Sequence, residues 1–310
     1  MIKNKEKNFA SAVAYIHNNE ASVFDFLQKI DAILSVNFEK YEIICVNDAS
    51  RDDSAGQIKH FAQSASSTVV SILNMSFFQG LELSMNAGID LAIGDFVFEF
   101  DACDPHLPLD LMMDLYQTSL TGYDIVSAAP ESRSRLFSRI FYSIFNRASH
   151  LNLRTETFRI LSRRAINRVQ SMSLTIPYRK AVYANCGLKT SVLTYSSASS
   201  AVSDSDHRHN QRELALDALI LYTNIAYKFC ITLSLIMMMI AIFVVLYASY
   251  FYFVAGGTVE GWTTTILFLA FSFFGLFAIL TTVIKYLSIL LNLVFKKQKY
   301  IIESIEKYNK

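Results

Sequence analysis

The sequence has few of the residues that stabilise small secreted or metal-bound domains. Its 310 residues include only four cysteines and four prolines. The cysteines are scattered, without the close spacing that zinc sites need, and scattered thiols suit a reducing compartment. The first residues also lack the apolar run of a signal peptide. These absences favour a chain whose N-terminal part lies in the cytosol.

Charged residues are missing from two long stretches near the C-terminus. No charged side chain lies between Lys228 and Glu260, or between Glu260 and Lys285. The apolar runs 229–254 and 262–284 are each long enough to cross a hydrocarbon core of about 30 Å. They predict two transmembrane helices joined by a short turn, and buried core helices are the alternative.

The lysines around these runs predict an orientation in the membrane. Lys228 precedes the first run and four lysines follow the second, whereas the turn carries only Glu260. Because positive residues mark the cytoplasmic side, both ends of the hairpin are expected in the cytosol. The sequence therefore predicts a multi-pass protein of the cell membrane. Its expected parts are a cytosolic domain (1–209), a juxtamembrane amphipathic helix (210–228), two spans (229–254 and 262–284) and a cytosolic tail (285–310).

Strand and helix patterns alternate over the first hundred residues. Residues 41–46 form a continuous apolar run typical of a buried parallel strand, and the apolar residues of 21–34 share one helical face. Further strands are predicted at 12–16, 68–73 and 96–100, and further helices at 53–64 and 81–92. This order predicts an α/β fold with a parallel, doubly wound sheet. Ligands of such sheets bind beyond the carboxyl ends of the strands, where Asp48 and Asp101 are both expected.

An Asp-x-Asp pattern at the end of one strand lacks its second carboxylate. The strand 96–100 is followed by Asp101-Ala102-Cys103-Asp104. Two carboxylates two residues apart point to the same side and can bind one hard cation, but a thiol prefers soft metals. Asp104 points to the other face unless a tight turn intervenes. The sequence predicts a Mg²⁺ or Mn²⁺ site at Asp101 and leaves Cys103 and Asp104 open as ligands.

Arginine dominates the stretch from 133 to 168, which has nine arginines and a single acid, Glu156. The stretch is either a solvated basic face or a site for the phosphate groups of a lipid or nucleotide. Within it, 136–148 has the rhythm of an amphipathic helix that packs on the sheet or lies on a membrane surface. The serine-rich stretch 196–210 predicts a loop.

Five short segments of the chain match known motifs in the expected order. They are Tyr15-Ile16-His17-Asn18-Asn19-Glu20, the run from Glu42 to Ser54, the run from Asn86 to Asp95, the run from Phe158 to Arg164, and Lys297-Gln298-Lys299-Tyr300-Ile301-Ile302. Together with the C-terminal hairpin, they resemble family 2 glycosyltransferases of the polyprenyl-phosphate type. That group includes dolichyl-phosphate mannose synthases and bacterial undecaprenyl-phosphate glucosyltransferases.

The resemblance implies the nucleotide-sugar-binding, Rossmann-like fold called GT-A. It implies inverting transfer of a sugar from a nucleotide diphosphate sugar to a polyprenyl phosphate at the cytosolic membrane face, for cell-surface glycan synthesis. A homo-oligomer is compatible with it, and no nucleic-acid partner is expected.

The resemblance also assigns roles to single residues. It implies catalytic roles for Asp101, Arg159 and Glu156, with Asp101 near the metal or diphosphate and Arg159 on a phosphate. The substrate-binding positions are Asn18, Glu20, Asn47, Asp48, Ser50, Asp101, His106, Arg163 and Arg164. Asp48 is expected to contact the base or ribose of the donor, and a turn or N-cap role is its structural alternative.

The departures from the family pattern cluster at positions of chemistry. Cys103 replaces the second metal aspartate, His106 stands where the family has an aspartate, and Thr157 where it has an acid. Two hypotheses follow. The chain is an active membrane-anchored glycosyltransferase with an altered metal site, or a catalytically degenerate member that binds nucleotide sugar, lipid or a partner transferase without turnover.

Overall fold

The computed structural model describes residues 5–65, 69–131, 156, 158–172, 179–195, 261–295 and 300–309, with scattered positions between 232 and 250. The chain divides into two compact units, Met1–Ala215 with Gln298–Lys310 and Leu216–Lys297. Several predicted segments lie wholly or mostly outside the described residues: the basic helix 136–148, the loop 196–210, the juxtamembrane helix 210–228 and the first apolar run 229–254.

Strands and helices alternate through the first unit, as the sequence predicts. The strands are β1 (Ala10–Ile16), β2 (Tyr41–Asn47), β3 (Val69–Met75), β4 (Phe96–Phe100), β5 (Ile125–Pro130), β6 (Phe158–Ser162), β7 (Thr190–Tyr195) and β8 (Ile302–Asn309). The helices are α1 (Val23–Asn37), α2 (Ser54–Ser64), α3 (Leu81–Leu91), α4 (Met112–Leu120), α5 (Arg163–Ser171), α6 (Arg179–Asn185) and, in the second unit, α7 (Trp262–Phe295).

The eight strands form one mixed sheet in the order β7-β5-β6-β4-β1-β2-β3-β8. Its centre is parallel, because β1 pairs in parallel with both β2 and β4, and β2 with β3. The prediction of a parallel sheet for the first hundred residues is confirmed, but β6 runs antiparallel to both β4 and β5, and β8 antiparallel to β3, so the complete sheet is mixed. Apolar periodicity indicates a strand but carries no information about its direction.

Apolar side chains hold the helices on this sheet. Every residue of β1 and β2 is buried, which explains why most residues of both strands are apolar. The face of α1 predicted from periodicity is the buried one, with Val23, Phe26, Leu27, Ile30 and Leu34 all in the core. A methyl group added at Gly88 of α3 would lie 2.5 Å from Val13 and 2.6 Å from Val46. The glycine therefore lets α3 pack closely against β1 and β2.

The C-terminal residues differ from the predicted tail in one respect. Ile302–Asn309 form β8 and extend the sheet beside β3.

The second unit contains one described continuous helix, α7. It runs past residue 284, the predicted end of the second span. Among the residues that the structure describes, no helix has both the length and the apolar character needed to cross a membrane.

Candidate active site

The candidate site lies at the carboxyl ends of the central parallel strands. Ile16 at the end of β1 pairs with Asn47 at the end of β2, and Ala14 pairs with Phe100 at the end of β4. The residues that follow these strands therefore meet at one edge of the sheet, where ligands of open α/β sheets bind. Asp48 and Asp101 are both at this edge, although their side chains have different surroundings.

Two buried arginines hold the carboxylate of Asp101. Nη2 of Arg159 donates to Oδ2 of Asp101 at 2.7 Å, and Nη2 of Arg179 donates to Oδ1 at 2.7 Å. The side chain of Arg159 is 0% exposed, that of Arg179 is 1% exposed, and Asp101 keeps 13%. Solvent therefore reaches the Asp101 carboxylate, whereas the two guanidinium groups that hold it are buried.

Glu99 lies below Asp101 on the same face of β4 and contacts the same two arginines. Its Oε2 atom accepts from Nη1 of Arg159 at 3.0 Å and from Nη1 of Arg179 at 3.1 Å. Its other oxygen accepts from the Tyr183 hydroxyl at 2.6 Å. Each guanidinium therefore bridges a buried carboxylate and the carboxylate at the strand end.

Further contacts fix the two guanidinium groups. Both the backbone N–H and Nε of Arg179 donate to Oε2 of Glu82 on α3, at 3.0 and 2.9 Å. The guanidinium carbon of Arg159 lies 5.5 Å from the centre of the Tyr183 ring, within the range of a cation–π interaction. We name the residues Glu82, Glu99, Asp101, Glu156, Arg159, Arg179, Lys180 and Tyr183 the arginine cluster.

Glu156 and Lys180 lie with Asp101 on the more exposed side of the cluster. Nε of Arg159 is 3.5 Å from Oε2 of Glu156, and Nζ of Lys180 donates to the Glu156 carbonyl oxygen at 3.1 Å. Nζ of Lys180 is also 3.9 Å from Oδ2 of Asp101. The side chains of Glu156 and Lys180 are 16% and 15% exposed. A lysine ammonium has three donors, so Lys180 can contact an anion at this edge.

The cluster sets the ionisation of its acids. Burial alone would raise the pKa of Asp101, but Arg159, Arg179 and Lys180 outweigh it and hold that pKa well below the usual range of aspartate. Burial raises the pKa of Glu99, and the two guanidinium groups oppose that rise by favouring the charged form. Asp101 is therefore a permanently charged acceptor at neutral pH, unable to supply a proton.

Cys103 does not lie beside Asp101 as a second ligand. Its side chain is buried, and its Sγ donates to the carbonyl oxygen of Tyr15 at 3.4 Å. Burial raises the pKa of the Cys103 thiol well above its usual value, so the thiolate needed for metal binding is disfavoured. Asp104 is a turn residue whose Oδ1 accepts from the His106 N–H at 2.8 Å. Within the described part of the chain, no three His, Cys, Asp or Glu side chains are arranged to hold a metal ion.

Replacing Cys103 with aspartate is expected to destabilise the protein rather than restore a metal site. The new carboxylate would be buried against the Tyr15 carbonyl oxygen, where it has no donor. An uncompensated buried charge costs about 3–5 kcal/mol. Urea denaturation should show this loss for Cys103→Asp and little change for Cys103→Ser, whose hydroxyl can still donate. A stable Cys103→Asp protein with increased transfer activity would contradict this placement.

Asp48 is fully buried and organises the loop after β3. Its carboxylate accepts from the backbone N–H groups of Gln79 and Gly80, both at 2.8 Å, and from the Tyr15 hydroxyl at 3.0 Å. Gly80 has a φ of 83°, a conformation that favours glycine. The contact to a donor base or ribose remains a prediction, and the turn role proposed as its alternative agrees with these hydrogen bonds.

Four other predicted substrate-binding residues connect the loops after β1 and β2. The Asn18 N–H donates to the Ser50 hydroxyl at 3.1 Å, and the Ser50 N–H donates to Oδ1 of Asn47 at 3.2 Å. Glu20 accepts from the Asp53 N–H at 3.0 Å. His106 is exposed beyond the end of β4. These residues shape the rim of the crevice, and their contacts with a ligand remain predictions.

The fold places Arg163 and Arg164 away from Asp101. Because β6 is antiparallel to β4, Phe158 pairs with Phe100 and Ser162 with Phe96. Arg159 therefore reaches the carboxyl end of β4, whereas Arg163 lies at its amino end and donates to the Gly94 carbonyl oxygen. Arg164 pairs with Asp124 and is 68% exposed. Neither residue contacts the arginine cluster.

Several members of the arginine cluster were not predicted from the sequence. They are Glu82, Glu99, Arg179, Lys180 and Tyr183. The sequence does contain an indication that Glu99 has a charged partner, because a carboxylate between two phenylalanines of a buried strand requires one. The sequence contains no such indication for Arg179. This residue lies outside every motif and contacts Glu82, 97 residues away, only in the folded protein.

The fold is similar to that of an enzyme of known structure. Glucosyl-3-phosphoglycerate synthase from Mycobacterium tuberculosis, solved with Mn²⁺, uridine diphosphate and phosphoglyceric acid, superposes with a TM-score of 0.53 at 14% identity. The overlap covers 69% of this chain and 78% of that chain. At this identity the likeness establishes a GT-A-like α/β fold.

Sequence comparison identifies the family. Residues 12–181, more than half of the chain, match the model of glycosyl transferase family 2. The chain therefore belongs to glycosyltransferase family 2, and it is a transferase by family.

Two relatives show how far the sequence similarity extends. An uncharacterized glycosyltransferase of Synechocystis sp. is 28% identical over 193 residues, which are 60% of each chain. The undecaprenyl-phosphate 4-deoxy-4-formamido-L-arabinose transferase of Aeromonas hydrophila is 29% identical over 133 residues, or 43% of this chain and 40% of that protein. The chain thus spans about 60% of the length of its Synechocystis relative.

Proposed function

We propose that the chain transfers a sugar, with inversion, from a nucleotide diphosphate sugar to a polyprenyl phosphate. The observation that carries the proposal is the Asp101 carboxylate, held by two buried arginines at the carboxyl edge of a GT-A-like sheet. The Aeromonas relative, named for transfer to undecaprenyl phosphate, supports the lipid acceptor. The mycobacterial structure, which contains uridine diphosphate, supports the nucleotide donor.

The residues at Asp101 fit a divalent cation that takes most of its ligands from the substrate. Both carboxylate oxygens accept one arginine each, but a carboxylate has about four acceptor positions. Mg²⁺ in such sites is commonly bound by one or two carboxylates, substrate phosphates and water. Asp101 is the ligand that this chain would supply to Mg²⁺ or Mn²⁺. The ion, when bound, would stabilise negative charge on the leaving diphosphate.

Lys180 is the cluster residue best placed to contact a phosphate directly. Its ammonium lies at the more exposed side of the cluster, near Asp101. The arginines below it are 0% and 1% exposed, and they act by orienting Asp101. A lipid phosphate is largely ionised at neutral pH, because its second pKa is about 6. Such an acceptor needs no strong general base.

We further propose that the protein is anchored in the cell membrane, with its catalytic domain in the cytosol. Neither of the two apolar runs, 229–254 and 262–284, contains a charged residue. The turn between them contains one, Glu260. Lysines flank the runs on the side assigned to the cytosol. An acceptor with a polyprenyl chain is confined to the bilayer, so an anchored enzyme would meet it at the membrane surface.

A binding protein without turnover is the second candidate. It is favoured by the pairing of each Asp101 oxygen with an arginine and by the inward position of Cys103. This candidate would bind a nucleotide sugar, a lipid or a partner transferase without turnover, so product formation separates it from the first.

An assay in detergent with polyprenyl phosphate, Mn²⁺ and a panel of nucleotide sugars separates these candidates. We expect a glycosylated lipid from at least one donor, detected by mass spectrometry, and none when the lipid phosphate is replaced by the free alcohol. Donor binding without a lipid product, in both Mg²⁺ and Mn²⁺, would contradict transfer and support the binding protein.

A further inference from the structure

The C-terminal strand β8 begins at the crevice, although it comes from the far end of the chain. Because β8 runs antiparallel to β3, its first residue, Ile302, pairs with Met75 at the carboxyl end of β3. The register shifts between Asn74 and Met75, as at a β-bulge, and such irregularities are common beside active sites. The residues just before β8 therefore meet the loop 76–80, which follows β3 at the crevice edge.

Gln79 of this loop bonds to both backbone groups of Ile301. Its Nε2 atom donates to the Ile301 carbonyl oxygen at 2.6 Å, and the Ile301 N–H donates to its Oε1 atom at 2.9 Å. The Ser76 N–H donates to the same carbonyl oxygen at 3.2 Å. The backbone N–H of Gln79 in turn donates to Oδ1 of Asp48 at 2.8 Å. Gln79 thus contacts the C-terminal segment through its side chain and Asp48 through its backbone.

A second row of hydrogen bonds runs from β8 into the crevice. Nδ2 of Asn74 donates to the Ser304 hydroxyl at 3.0 Å, and Oδ1 of Asn74 accepts from Nδ2 of Asn47 at 3.0 Å. Oδ1 of Asn47 then accepts from the Ser50 N–H at 3.2 Å. Asn47 and Ser50 are both predicted substrate-binding residues. Two independent rows of contacts therefore join β8 to the residues around the end of β2.

These contacts lie on the side of the crevice away from the arginine cluster. The strand order places β4 and β6 on one side of β1, and β2, β3 and β8 on the other. Neighbouring strands are about 4.8 Å apart, so the ends of β4 and β2 are about 10 Å apart along the edge. A nucleoside diphosphate with its phosphates at Asp101 can therefore extend along the edge to Asp48 and the loop 76–80.

We propose that β8 is part of the donor site, because through Gln79 it positions the loop 76–80 for the nucleoside of the donor. The inference rests on the proposed function. Gln79 is a positioning residue that acts through the backbone of its loop. The net contribution of one hydrogen bond corresponds to about a two- to tenfold change in an equilibrium. A change in β8 would then alter donor affinity without altering any residue that contacts the donor.

The variant that tests this role is Gln79→Ala, which removes both side-chain hydrogen bonds to Ile301. Binding of UDP and of GDP to the full chain in detergent with Mn²⁺ is measured by titration calorimetry. We expect the affinity for the nucleotide that binds the wild-type protein to fall about fivefold or more. In the transfer assay, KM for the donor should rise by a similar factor and kcat should stay within about twofold, because the loop contacts the nucleoside equally before and during transfer. Unchanged affinity, or a loss confined to kcat, would overturn the inference.

Two control variants show whether the effect belongs to this contact. Ile301→Ala removes an exposed side chain but keeps both backbone groups that bond to Gln79. Gln63→Ala removes an exposed glutamine near the end of α2. Both should bind the nucleotide as tightly as the wild-type protein. A loss in either control equal to that in Gln79→Ala would overturn the inference.

Gln79→Met keeps the inference testable if Gln79→Ala does not fold. It preserves the length of the side chain and removes the same two hydrogen bonds, so it should weaken nucleotide binding to the same extent. Wild-type affinity in Gln79→Met would overturn the inference. If the wild-type chain binds neither UDP nor GDP, the proposed function itself fails. If it binds one of them and the Gln79 variants bind that nucleotide equally well, only the inference about β8 fails.

Discussion

Replacing Asp101 with asparagine is expected to lower the rate of sugar transfer by about a thousandfold or more. The amide has nearly the same shape but cannot carry the charge that faces Arg159 and Arg179. Both guanidinium groups donate to this carboxylate at 2.7 Å, and it is the group of the cluster proposed to bind the cation. Loss of the charge would therefore remove the cation ligand and release the arginines at the same time.

The matched control for this variant is Asp114→Asn. Asp114 is exposed on α4 and is not part of the arginine cluster. We expect its initial rate of transfer to equal that of the wild-type protein under identical donor and acceptor concentrations. If Asp101→Asn transfers sugar within about threefold of the wild-type rate, Asp101 is not in the catalytic machinery.

Replacing Arg159 with glutamine is expected to destabilise the first unit by about 3–5 kcal/mol. The arginine has no exposed surface and pairs with Glu99 and Asp101. Its removal would leave three acidic groups, Glu82, Glu99 and Asp101, to share Arg179, with Glu99 fully buried. Breaking a buried ion pair from one side is costly because the remaining charge has lost its partner without regaining water.

A surface arginine five residues further along provides the comparison. Arg164 is 68% exposed and pairs with Asp124 away from the cluster, and exposed ion pairs contribute little to stability. Urea unfolding followed by fluorescence should therefore show a large loss for Arg159→Gln and almost none for Arg164→Gln. Equal midpoints for these two variants would show that the arginine cluster does not stabilise the fold.

The centre of the fold was predictable from the sequence because its elements are locally encoded. The apolar run of β2 and the one-sided periodicity of α1 each follow from burial by neighbouring layers. The strands at the edges were not predictable in the same way. β8 pairs with β3 across more than 200 residues of sequence, and nothing in its own pattern indicates which strand it joins. The direction of β6 was likewise set by the fold and not by its residues.

The candidate site was predictable only where a motif marks it. Asp101 and Arg159 each belong to a recognisable segment, and the structure brings them into contact. Arg163 belongs to the same segment as Arg159, but the extended strand between them separates their side chains by the length of β6. Arg179 and Glu82 are joined only in the folded protein. Their charges could be read from the sequence, but their pairing could not.

Electron paramagnetic resonance of Mn²⁺ tests the central claim, that Asp101 and a donor diphosphate together form the cation site. The full chain in detergent would be titrated with Mn²⁺ in the presence and absence of UDP or GDP. The structure predicts tight Mn²⁺ binding only when a nucleotide is present, and its loss in Asp101→Asn. Mn²⁺ bound equally tightly by Asp101→Asn and the wild-type protein would contradict the account.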